Sequence, residues 1–220
     1  MSADRVVFTA NRGYTLTSSR TALIRQFLEQ GWEVILATGD AAESRSLVAM
    51  GALLEPVVFH RGGLSPVMDV KAYRRLLSIY RHWQPELIHH FHAKPLIFGT
   101  LAARQALGQK VRIVNTITGL GHAFINGGLP ARLAGWEYAA GMPRADVGIF
   151  QNRDDWQLFL DRGWVAEERA RMIAGSGVDM ERFTFMFAIS HRKVNFSQMI
   201  QCMWILRWKQ PDGCDETVAI

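Results

Sequence analysis

The stretch Glu86-Leu87-Ile88-His89-His90-Phe91-His92-Ala93-Lys94-Pro95 decides the fold. Its first half, Glu86 to His90, has strand length and reads as a strand with Leu87 and Ile88 at its centre. Its end turns polar, and the residues that follow open a helix-period segment in which Pro95 suits the first helical position. A strand, a polar turn and a helix make one half of a βαβ unit, and the chain repeats that unit on both sides.

Upstream, strands are expected over Val6–Ala10, Glu33–Ala37 and Leu54–Phe59. Ser18 or Ser19 is a candidate cap for the first helix, whose apolar stripe is Ala22, Leu23, Phe27 and Leu28 and which Gly31 ends. A short helix is expected around Ala42–Met50, and a longer one over Val70–Trp83. The longer one gathers Lys71, Arg74, Arg75 and Arg81 on one side and Val70, Tyr73, Leu76, Leu77 and Tyr80 on the other. Downstream, strands are expected at Val111–Thr116, Val147–Phe150 and Arg171–Ala174. Alternating strands and helices predict an α/β fold, a Rossmann-like doubly wound parallel sheet covered on both faces. Such a sheet binds ligands beyond the carboxyl ends of its strands.

The residues at those ends are glycine-rich and polar: Asn11-Arg12-Gly13, His60-Arg61-Gly62-Gly63, Thr116-Ile117-Thr118-Gly119-Leu120-Gly121-His122, Gln151-Asn152 and Gly175-Ser176-Gly177-Val178-Asp179. Any α/β domain needs such residues in its turns, so the weight lies in their agreement. Together they describe an edge suited to a polar, phosphorylated ligand.

Other chemistries are poorly supported. No G-x-G-x-x-G follows the first strand and no Walker lysine motif occurs, which weakens an NAD-dependent oxidoreductase and removes a P-loop enzyme. No G-x-S-x-G elbow is present. His89, His90 and His92 have no cysteine or close carboxylate to complete a metal site. On a strand His90 and His92 would share a face, so they read as polar residues at the binding edge. The chain of 220 residues carries a formal charge of +5, compatible with phosphorylated substrates or an anionic membrane surface. Its two cysteines, Cys202 and Cys214, form no disulfide framework, and with neither a signal peptide nor a spanning segment a cytoplasmic protein is expected. From Thr184 to Ile220 the strand–helix rhythm stops, and Val194–Trp208 is rich in Phe, Met and Trp.

Four ordered stretches carry a family resemblance: His89-His90-Phe91-His92-Ala93-Lys94-Pro95-Leu96-Ile97-Phe98-Gly99, Asn115-Thr116-Ile117-Thr118-Gly119-Leu120-Gly121-His122-Ala123-Phe124, Phe150-Gln151-Asn152-Arg153-Asp154-Asp155, and Gly175-Ser176-Gly177-Val178-Asp179-Met180-Glu181-Arg182-Phe183. Arg61, Ser65, Pro66 and Asp69 also fit. Residues 5–183 resemble glycosyltransferase family 4, within it the bacterial enzymes that extend undecaprenyl-diphosphate-linked sugars for capsule, O-antigen or glycoprotein glycans. The resemblance implies one half of a GT-B fold: an acceptor-side Rossmann-like domain over residues 1–183, with residues 184–220 an aberrant tail where the second domain would begin.

It further implies a retaining hexosyltransferase that uses a nucleotide sugar, a UDP-sugar, without cofactor or metal. The acceptor would be a polyprenyl-diphosphate-linked glycan at the cytoplasmic membrane face, with no nucleic-acid partner. By carry-over, Arg12 and Gly13 lie near the donor phosphates. His92, Lys94, Thr118, Gly119, Gly121, His122 and Asn152 line the acceptor cleft, with His122 the catalytic candidate. Gly175, Ser176, Gly177 and Asp179 lead into the hinge. Without the donor-side domain the chain is expected to be a truncated, inactive fragment. A non-catalytic Rossmann-like binding module and one subunit of a split transferase are the alternatives.

Overall fold

A computed structural model describes residues 3–39, 41–60, 65–120, 128–173, 175 and 176. The chain divides into two compact units, Met1–Gly175 and Ser176–Ile220, and nearly all described residues belong to the first. The boundary expected at residue 183 and the tail beyond it lie outside the described residues, as do Gly121, His122, Gly177 and Asp179.

The first unit is built on seven strands: β1 (Arg5–Thr9), β2 (Glu33–Thr38), β3 (Leu53–Pro56), β4 (Leu87–Phe91), β5 (Arg112–Ile117), β6 (Val147–Phe150) and β7 (Ala170–Met172). They form one sheet in the order β3-β2-β1-β4-β5-β6-β7, with every pairing parallel. This is the expected Rossmann-like α/β architecture. The helices are α1 (Gly13–Ser19), α2 (Thr21–Glu29), α3 (Ala41–Ala49), α4 (Pro66–Trp83), α5 (Ala93–Leu107), α6 (Gly128–Gly141) and α7 (Arg153–Asp161). On one face, Val7, Ile88 and Ile113 pack with Ala72, Leu76 and Ile79 of α4 and Ala102 and Ala103 of α5. Tyr138 of α6 and Phe159 of α7 extend that layer around Phe150, with ring centroids 5.0 and 5.1 Å apart. On the opposite face Phe27 of α2 meets Phe8 edge-on.

Five local expectations are corrected. Ser18 and Ser19 cap no helix: the chain is already helical from Gly13. Thr17, Ser19 and Thr21 hydroxyls donate to carbonyls one turn back (Gly13, Thr15 and Thr17), and the break falls at Arg20. Pro95 is the third residue of α5 rather than the first. It stays harmless there, because first-turn N–H groups have no intrahelical partner. The third strand ends at Pro56, because its partner β2 ends at Thr38; Val57 and Phe59 are nonetheless buried. Val70 is 48% exposed and so lies outside the buried face of α4.

The fifth correction concerns the histidines. His90 and His92 do not share a face, because His92 leaves the strand with φ 72° and ψ 160°. His89 and His90 are core residues rather than edge groups. His90 Nδ1 lies 2.8 Å from Asn115 Oδ1 and its Nε2 lies 2.9 Å from the Tyr80 hydroxyl. Asn115 Nδ2 also donates to Thr100 Oγ1 at 3.0 Å. An amide oxygen can only accept, so the proton sits on Nδ1 and Tyr80 donates to Nε2. His89 Nε2 pairs with Thr116 Oγ1 at 2.7 Å on the other face. Most buried polar groups in folded proteins are satisfied in this way. The network holds β4 in place, and with it the point where His92 leaves the sheet.

Candidate functional site

The strand order runs outward in two directions from the β1–β4 boundary. The connections diverge there and leave a crevice beyond the strand ends, where open α/β sheets bind ligands. The residues that follow β1 and β4 are therefore the first to consider.

Two of them, and one residue on the neighbouring strand, carry buried polar atoms with no hydrogen-bond partner: Asn11 Oδ1 after β1, His92 Nδ1 after β4 and Thr38 Oγ1 at the end of β2. Leaving such a group unmet costs about 1–3 kcal/mol. All three sit at the carboxyl edge of adjacent strands, beside the switch point. His92 adds a second sign. A φ of 72° with ψ 160° is a conformation that side-chain-bearing residues rarely hold. Strain of this kind persists where the fold over-determines it, and it concentrates at ligand sites. Burial, then the nearby Arg20 charge, lower the His92 pKa, so the ring is neutral there. The buried Arg20 guanidinium lies 4.6 Å from the Phe91 ring centroid.

The other expected residues are distributed as follows. Arg12 is ion-paired with Glu43 of α3, whose Oε2 also accepts the Tyr14 N–H at 2.9 Å. Gly13 is buried at the start of α1. Lys94 Nζ pairs with Asp69 Oδ1 at 2.7 Å, bridging α5 and α4, and Asp69 Oδ2 accepts the Ser65 N–H at 3.3 Å. Thr118 and Gly119 are exposed just past β5, Gly119 at φ 129°. Asn152 caps α7, accepting the Asp155 N–H at 2.8 Å. Gly175 closes the first unit with φ 86°, and Ser176 begins the second. His92 and Lys94 are thus neighbours at the mouth of β4, whereas Asn152 lies three strands away from Arg12 in order.

Sequence reading placed Asn11 in a strand-end turn and Asp69 in the family pattern without giving either a role, and missed Thr38 and Arg20. It also missed Glu137 of α6, whose carboxyl pKa is raised by burial and by Asp69, with Lys94 opposing. A signal existed for Asn11 and Thr38, which stand at the ends of β1 and β2, the two strands next to the reversal on one side. Glu137 stands inside an apolar helix segment, and only the packing of that helix against α5 reveals it. Among the described residues no group of three or more metal-ligating side chains converges.

Residues 5–137 match the family model of the glycosyl transferase 4-like proteins. The chain belongs to that family. Solved structures share the fold: a glycosyltransferase from Rickettsia africae (TM-score 0.56, 10% identity, 96% of this chain and 51% of that one) and Acinetobacter baumannii MurG (0.53, 14%, 81% and 47%). Anabaena HepE, solved with UDP and glucose, matches with TM-score 0.54 and 15% identity over 92% of this chain and 50% of its own. The chain spans about half the length of these structures, the Rossmann-like half of a GT-B fold. A UDP-N-acetylglucosamine 2-epimerase from Rickettsia bellii is equally similar (0.57, 12%, 86% and 50%), so fold alone does not separate transfer from epimerisation. No curated protein sequence matches the chain.

Proposed function

We propose that this chain supplies the acceptor-side half of a retaining hexosyltransferase, which moves a sugar from a nucleotide sugar, a UDP-sugar, to a polyprenyl-diphosphate-linked glycan in surface polysaccharide biosynthesis. The observation that carries the reading is that Asn11 Oδ1, Thr38 Oγ1 and Nδ1 of the strained, neutral His92 lie unpartnered at the carboxyl ends of three adjacent strands beside the switch point. Hydroxyl-rich and phosphate-bearing ligands offer the donors and acceptors these atoms lack. Family membership selects transfer over epimerisation. Arg12 and Gly13 would approach the donor diphosphate, where positive charge and backbone N–H groups stabilise a leaving anion.

Two surface features support a ligand that is lipid-linked and a second half that closes over the edge. Tyr14 (60% exposed), Val58 (60%) and Val67 (68%) place apolar surface around the carboxyl end of the sheet. Val67 and Val70 also stand beside the exposed Lys71 and Arg74 on α4, a pairing suited to an anionic membrane surface. No helix among the described residues is long and apolar enough to cross a membrane.

Binding of a farnesyl-diphosphate-linked N-acetylhexosamine, measured by titration calorimetry with NAD as control, tests the proposal. The wild-type chain should bind the glycolipid and not NAD. His92→Gly, which keeps the backbone but removes the ring, should weaken binding about tenfold. Absence of glycolipid binding, or equal binding by the variant, refutes the assignment.

A further inference from the structure

A pocket of about 210 Å³ opens where the chain leaving α7 returns against α6, lined by Arg132, Gly135, Trp136 and Ala139 of α6 and by Arg162 and Trp164. The four α6 residues are spaced i, i+3, i+4 and i+7, so they form one face of that helix. The opposite wall is fixed by the way α7 ends. Gly163, at φ 64°, closes the helix in the left-handed region, and the Gly163 and Trp164 N–H groups donate to the Leu160 and Phe159 carbonyls at 2.9 Å each. That turn lays Trp164 on α6. Its indole stacks with Tyr138 at a centroid separation of 5.8 Å, and Gly135 makes room for it, since a Cβ there would stand 3.3 Å from Trp164 Cζ2. The floor of the pocket is therefore preformed, as in most small-molecule sites.

Arg132, Trp136 and Arg162 are exposed at its rim, Trp136 by 72%. Among the described residues, neither arginine enters an ion pair or a side-chain hydrogen bond. The Arg162 guanidinium lies 5.8 Å from the Trp164 ring centroid. Asp161, the carboxylate next to it along the chain, accepts from Gln157 Nε2 at 2.8 Å. The lining thus holds two positive charges, no carboxylate and one open indole face. Tryptophan and arginine at the mouth of a pocket are the side chains that carry most binding energy once a ligand covers them.

We propose that this pocket binds a phosphate monoester carried on an apolar or aromatic body, with Arg132 and Arg162 taking the phosphate and Trp136 the body. Charge complementarity selects an anion. A phosphate monoester spreads about 1.5–2 negative charges over three oxygens at pH 7, enough to engage two guanidinium groups. A carboxylate has one charge and two oxygens, which a single guanidinium satisfies. An apolar body laid on the Trp136 indole removes both surfaces from water, and an aromatic ring adds offset stacking. Two sources carry this chemistry, a soluble phosphate ester and the headgroup of phosphatidic acid in a bilayer. The pocket shares no residue with the strand-end site, so either reading stands or falls without the other.

The test uses the full chain and reads the indole N–H signals of its seven tryptophans by NMR, the Trp136 signal being assigned by its loss in Trp136→Phe. Phenyl phosphate and inorganic phosphate are the soluble probes. Co-sedimentation with vesicles of phosphatidylcholine plus phosphatidic acid, against phosphatidylcholine alone, is the bilayer arm. A saturable shift of the Trp136 signal with phenyl phosphate, at least about fivefold tighter than with inorganic phosphate, assigns the site to a soluble ester. Sedimentation that requires phosphatidic acid assigns it to a headgroup. In whichever arm binds, Arg132→Gln and Arg162→Gln should each weaken binding about fivefold or more. Both side chains are exposed, so these variants should keep the wild-type circular dichroism spectrum. The proposal is overturned if neither arm binds, if inorganic phosphate shifts the signal as tightly as phenyl phosphate, or if both arginine variants bind like the wild type.

Discussion

Replacing His92 by glycine and by alanine should reverse the usual order of stability between those two residues. At most positions glycine is the worse choice by about 0.5–1 kcal/mol, because it has more backbone freedom to lose on folding. At His92, φ is 72° and ψ 160°, and any residue with a Cβ carries strain there. That strain is worth about 1–3 kcal/mol, and alanine keeps it while glycine sheds it. Both variants lose the ring, so its packing cancels in the comparison. The difference leaves His92→Gly more stable than His92→Ala by roughly 1–2 kcal/mol, or about 2–8 °C in Tm for a domain of this size. Urea denaturation followed by circular dichroism gives the comparison directly. If the alanine variant equals or exceeds the glycine variant, His92 does not hold a left-handed backbone and the argument that strain marks the site fails.

Two further outcomes follow from the core beneath that residue. Gly99→Ala should unfold the domain or cost about 3 kcal/mol or more, since the new Cβ would lie 2.3 Å from His90 Nε2 and the ring is fixed at both ends by Tyr80 and Asn115; a stability loss below about 1 kcal/mol in a denaturant series would show that the ring can move aside. Stability should also fall on acidification below the ordinary histidine pKa of about 6.5. Burial lowers the His90 pKa to about 4, with the Asn115 hydrogen bond opposing, so between those values the unfolded chain binds a proton that the folded chain refuses. The unfolded state then gains as pH falls, by roughly 2 kcal/mol at pH 5 from His90, and a His90→Gln variant should lose that share of the dependence in pH-resolved thermal melts while the buried His89, its pKa also lowered by burial, keeps its own.

The α/β architecture was legible because every strand except β3 and β7 is an apolar run followed by a polar turn, and that alternation admits few topologies. The boundaries were less so, for reasons that are local and physical. Serine and threonine near a helix start can cap it or bond back into it, and the choice at Thr17, Ser19 and Thr21 depends on where Arg20 is held. His89 and His90 look like site residues in any reading of sequence alone. Their partners Thr116, Asn115 and Tyr80 are distant along the chain, and only register brings them together.

The site itself was legible in proportion to how much of it lies in strand-to-helix turns. His92 and Lys94 follow one strand directly, so their position is implied once that strand is recognised. Asn11 and Thr38 gain meaning only from the sheet order, because it is the reversal at β1 and β4 that makes the ends of these strands a crevice. Glu137 required one level more, the packing of α6 on α5 through Gly141, since nothing along the chain relates it to Lys94. The fold neighbours show the corollary. Transferases and an epimerase present the same sheet at 10–15% identity, so the shared sheet itself does not carry the difference in their chemistry.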